Sequence, residues 1–133
     1  MANKDFKDEV RTYEGGIVKL FGKVVTSTSG TISSQVSKGF TVTKTGSETG
    51  RYTVTLDDKY NSLRGCSVAL VGAADAAYTT ANGLNSFLRG VDVGAATPLF
   101  YIQFARTDTG ADAEVIDGAE FYIEITLKNT SSF

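Results

Sequence analysis

Histidine and tryptophan are absent from this chain, and cysteine, proline and methionine occur once each. Each gap excludes something. Without imidazole no Ser-His or Cys-His pair can form, and zinc sites built on histidine are ruled out. One cysteine cannot close an intrachain disulfide, and the setting of Cys66 in "GCSVALVG" suits a small hydrophobe in a strand rather than a reactive thiol. No stretch approaches the roughly 18 consecutive apolar residues that span a bilayer. The opening "MANKDFKDEVRTYEGG" is polar, without the apolar segment of a secretory signal. A net charge of −2 supplies no basic field, so neither nucleic acid nor an anionic membrane is an expected partner.

What is present points to sheet. A chain of 133 residues forms one domain and can bury a core without metals or disulfides. Gly 14, with many serines and threonines, implies frequent turns between β-favouring runs. "GIVKLFGKVV" (16–25) has strand composition, with Val18, Leu20 and Val24 sharing a face across an expected bulge at Gly22. "TSTSGTISS" (26–34) reads as a flexible hairpin or an exposed strand. "KGFTVTKT" and "RYTVTL" alternate through Phe40, Val42, Tyr52, Val54 and Leu56 on either side of "TGSETG", which predicts an antiparallel hairpin. "CSVALVG" turns Val68 and Leu70 inward, and "FLRGVDV" (87–93) is a further strand before Pro98. "LFYIQFA" (99–105) is apolar on both faces and fits a central strand covered on both sides. "FYIEITLKN" (121–129) alternates Phe121, Ile123, Ile125 and Leu127 inward with Tyr122, Glu124, Thr126 and Lys128 outward.

Roughly seven strands with little helix is the pattern of an all-β, single-domain antiparallel β-sandwich or barrel-like sandwich over residues 17–133. Residues 1–16 precede it as a charged N-terminal arm. Phe6, Val10 and Tyr13, spaced by four and then three, would share one helical face, but the segment is too short to hold a helix unaided. An arm of this kind needs something to dock on, and Phe6, Val10 and Tyr13 are the candidate partner-binding residues.

The carboxylates are the remaining candidates for chemistry. Asp57 and Asp58 follow a strand and precede "KYNSL", where an aspartate suits the N-cap of a single helical turn with Tyr60 and Leu63 on one side and Arg64-Gly65 closing it. Adjacent aspartates do not face each other across a cleft, so they read as a corner rather than an acid/base pair. "RTDTGADAEVIDGAE" (106–120) gathers five acidic residues, yet their order does not follow an EF-hand loop and its glycines suit turns. "AADAAYTTANGLNS" (73–86) follows no period and fits a short helix or a long loop. No catalytic constellation, cofactor motif or metal set emerges, and the expectation is a non-enzymatic protein with no cofactor.

The block "GRYTVTLDDKYNSLRGCSVALVG", followed at the other end by "FYIEITLKNTSS", resembles the small virion structural proteins of tailed bacteriophages, of the head decoration or cement kind. The matching positions are Gly50, Arg51, Tyr52, Thr53, Val54, Thr55, Leu56, Asp58, Tyr60, Leu63 and the "LKN" of 127–129. The likeness is specific over about 50–71 and 121–131 and loose elsewhere. It implies a protein made in the host cytoplasm that binds the outer surface of the assembled capsid. Its partner would be the major capsid protein of the same virion, and it would itself be a homo-oligomer, a trimer or a dimer. A tail or baseplate role is the neighbouring alternative. A glycan-binding sandwich module, using the Tyr- and Thr-bearing segment 78–85, is a third, weakened by the lack of tryptophan platforms.

Overall fold

The computed structural model describes residues 16–46, 48–72 and 83–129. They form eight strands: β1 (Ile17–Thr26), β2 (Ile32–Ser37), β3 (Phe40–Lys44), β4 (Arg51–Leu56), β5 (Ser62–Val71), β6 (Leu84–Asp92), β7 (Leu99–Arg106) and β8 (Glu120–Lys128). Two four-stranded antiparallel sheets result, sheet A in the order β2-β1-β8-β5 and sheet B in the order β3-β4-β7-β6. This is the β-sandwich that the alternating pattern predicts.

The core lies between the sheets and follows from period-two burial. Val42, Tyr52, Val54, Phe100, Ile102, Phe121, Ile125 and Leu127 are fully enclosed. Three rings lock the sheets together at its centre. Tyr52 of β4 meets Phe104 of β7 edge-on at 5.8 Å and Phe121 of β8 at 5.0 Å, while Phe104 and Phe121 lie 5.3 Å apart. Such tilted pairs add about 0.5–1.5 kcal/mol each beyond the area they bury. The phenol of Tyr52 is satisfied where it ends, donating to the Gly30 carbonyl at 2.6 Å. That bond seats the 3-10 turn Thr28–Gly30 over the core.

The eighth strand is β2, the polar segment "ISSQVS". Its Gln35 explains why so polar a run is held in place. The side-chain amide donates to the Val42 carbonyl at 2.7 Å and accepts from the Val42 N–H at 2.9 Å. One side chain thereby pairs with the outer edge of β3, joining the two sheets along one side.

Four expectations are corrected. Gly22 is not a bulge: β1 and β8 run in unbroken register from Ile17–Lys128 to Val25–Glu120, and the shift against β2 falls at Val25/Thr26. Gly22 instead leaves room for the Phe40 ring, which stands 2.5 Å from where a Cβ would sit. The corner after β4 contains no helical turn. The Tyr60 N–H bonds the Val93 carbonyl (2.8 Å) and the Asn61 N–H bonds the Lys128 carbonyl (2.9 Å), so this backbone is tied to distant segments rather than to itself. Leu63, Arg64 and Gly65 accordingly belong to β5, with a register shift between Leu63 and Gly65. β7 is interior in sheet B, but its second face is covered over only part of its length: Gln103 and Ala105 are buried there, whereas Leu99 and Tyr101 are half-buried. Lys128, expected outward into solvent, is only 3% exposed, flanked by Ile17 and Ser62 on the neighbouring strands.

Candidate functional site

The carboxylates singled out by sequence are brought to no common point. Asp57 and Asp58 are exposed on the corner, while Tyr60 beside them is buried. Burial, and then the charges of Asp58 and Asp57, raise the Tyr60 phenol above its ordinary pKa, so it remains protonated. In the 106–120 segment, Asp108 takes two hydrogen bonds from Arg106 (2.9 and 2.7 Å), which hold its carboxyl below the usual range. Glu114 accepts from the Gly50 N–H at 2.6 Å and pairs with Lys44 at 3.2 Å. Asp108 and Glu114 are thus engaged in fixing loops, and among the described residues no three metal-ligating groups converge. The Cys66 thiol is half-buried on β5, and burial together with Glu124 pushes it up to about 11, unlike a reactive thiolate.

Phe6, Val10 and Tyr13 lie outside the described residues, as do 78–82 of the Tyr- and Thr-bearing segment.

The feature that stands out was missed by sequence reasoning: the outer face of sheet A. Of the six large apolar side chains exposed among the described residues, Phe21, Val36, Val71 and Tyr122 lie there. Register sets them in rows. Phe21, Glu124 and Ser67 share one level; Val36, Lys23, Tyr122 and Ala69 share the next; Val25, Glu120 and Val71 the one beyond. Because Ser67 and Ala69 are small, a shallow depression of about 250 Å³ opens beside Phe21 and Tyr122. The exposed charges around the patch are sorted by strand: β1 carries Lys19 and Lys23, while β8 carries Glu120 and Glu124, with Lys128 buried at the end of the same row. Lys19 pairs with Glu124 at 2.9 Å and Lys23 with Glu120 at 3.4 Å. The Tyr122 hydroxyl donates to Glu120 at 2.8 Å, which holds that carboxyl low, and Lys23 lies 5.9 Å from the Tyr122 ring centroid. An exposed apolar patch framed by polar groups has the character of an interaction surface.

The signal was present in "VKLFGKVV" and "FYIEITL". Phe21 and Tyr122 occupy outward positions of strands whose inward positions were assigned correctly, and an aromatic where the pattern calls for a polar residue is the informative exception. Comparison with known proteins returned no match to any family model, curated protein or solved structure.

Proposed function

We propose that this protein is a capsid decoration protein of a tailed bacteriophage, an oligomer that binds the outside of the assembled head and staples neighbouring capsomers. The observation that carries the reading is the resemblance of the 50–71 and 121–131 blocks. Residues 51–71 form β4, the corner and β5, and 121–128 lie in β8, an interior strand of sheet A that pairs with β5. A stapling role calls for a stiff body and complementary surface, about 800 Å² per partner in a standard specific interface. A core of interlocked rings and an apolar outer face suit that requirement. In this reading the arm 1–16 reaches the major capsid protein, with Phe6 and Tyr13 as aromatic anchors and Val10 between them.

The test is to add the purified protein to undecorated shells and to image them by electron microscopy. Saturable density at symmetric outer positions is expected, and deletion of residues 2–14 should weaken binding while leaving the melting temperature largely unchanged. Empty shells, with density on tails instead, would move the protein to the tail.

A further inference from the structure

The outer face of sheet A is self-complementary, and the register shows how. A two-fold axis in the contact plane, parallel to the strands and between β1 and β8, carries β1 of one copy over β8 of the other and β2 over β5. Levels along the strands are preserved by such a rotation. The lysine-bearing strand of each copy then faces the glutamate-bearing strand of its partner, with Lys23 arriving over Tyr122 between Glu120 and Glu124. Val36, at 74% the most exposed large apolar side chain among the described residues, arrives over Ala69 at the depression floored by Ser67 and Ala69. The perpendicular in-plane axis would stack β1 on β1 and set Lys19 and Lys23 against lysines, a like-charge arrangement.

We infer that two copies of this chain pack face to face through sheet A about the strand-parallel axis. Strands of 10, 6, 10 and 9 residues, spaced by about 4.8 Å and rising about 3.3 Å per residue, give a footprint of about 550 Å² on each copy. The pair therefore covers about 1,100 Å² in total, above the roughly 1,000 Å² expected of a specific interface. Sheets packed this way keep their strand directions within about 30° of each other, as sheets do within a sandwich. The inference specifies the oligomer of the proposed reading, and it is tested on the isolated protein without any shell.

Sedimentation equilibrium of the full chain should give the mass of two copies. One variant carries Lys19→Glu with Lys23→Glu, so that the four charges around the exposed patch are all negative; a second carries Glu120→Lys with Glu124→Lys, so that those four are all positive. Each alone should be monomeric, and an equimolar mixture should restore the two-copy particle. Circular dichroism and thermal melting establish that both are folded. Should either fail to fold, Val36→Glu, at an exposed position of an edge strand, should weaken association at least tenfold, while Thr43→Glu on sheet B leaves it unchanged. A parent chain that is monomeric or trimeric at about 100 µM, far above a micromolar Kd, would overturn the inference. So would dimers indifferent to the charge changes or to Val36→Glu. A monomer that still decorates shells would sink this inference alone and leave the proposed function standing.

Discussion

The two sheets present equivalent inner faces and outer faces that differ in how far their side chains are engaged. Outside sheet B, polar groups are spent on one another. Gln103 is fully buried, its amide donating to the carbonyls of Thr49 (2.8 Å) and Phe104 (3.1 Å), which turns its oxygen towards Arg51 (3.2 Å) and Arg89 (3.5 Å). The Arg51 guanidinium lies over the Tyr101 ring at 5.8 Å, Thr41, Thr43, Thr53 and Thr55 share that surface, and Phe87, opposite Gln103, is its large apolar exception at 48% exposed. Outside sheet A, Phe21 is 58% exposed and Tyr122 42%. A side chain engaged by its own fold contributes stability; one left standing in solvent contributes little until something covers it. Stability should therefore register changes outside sheet B and association should register changes outside sheet A.

The inner faces supply the baseline. Phe104→Ala in sheet B and Phe121→Ala in sheet A should each cost about 3–5 kcal/mol in denaturant unfolding, since both leave cavities among the three interlocked rings. A loss under about 1 kcal/mol at either would mean that its strand does not face the core. Gly50→Ala should cost about 1–3 kcal/mol or more. Its φ of +68° is unfavourable for a side chain, and a Cβ there would collide with the Ala113 carbonyl. An unchanged midpoint would show that the segment before β8 is not anchored to β4 in this way.

The outer faces should then diverge. Gln103→Leu deprives two arginines and two carbonyls of a partner and should cost about 1–3 kcal/mol. Phe21→Ser should stay within about 0.5 kcal/mol, as exposed substitutions do. Equal costs would erase the contrast. The smallest effect is at Cys66, whose thiol is neutral in the fold up to about pH 11. Because the unfolded thiol ionises first, near its ordinary value, the stabilisation is intact below that value. It is lost as pH rises through the folded one. Alkylation at pH 8 should be much slower in the native protein than in urea; equal rates would place the sulfur in solvent.

Sandwich architecture was legible because inward positions obey a period of two: Phe40, Val42, Tyr52, Val54, Phe121, Ile123 and Ile125 were assigned to the core and lie there. β2 escaped because "ISSQVS" has almost no apolar alternation and is held by the Gln35 amide, a contact no local pattern encodes. The corner was misjudged for a related reason. N-cap chemistry is local, whereas the N–H groups of Tyr60 and Asn61 find carbonyls about thirty and seventy positions away in the chain. The surface of sheet A was hidden because a one-strand reading sees Phe21 and Tyr122 as separate exceptions. Only register sets them side by side.

Open sandwiches carry unpaired margins onto which stray polypeptide can add, the usual route to fibrous precipitates. Here one glutamine occupies the middle of such a margin, offering Val42 both halves of the bond that an invading backbone would seek. Replacing that amide with the isosteric carboxylate keeps the acceptor but removes the donor and turns an oxygen onto the Val42 carbonyl. A single atom thus decides whether the middle of that margin is covered, while Ser37, donating to the Phe40 carbonyl at 2.7 Å, guards its end.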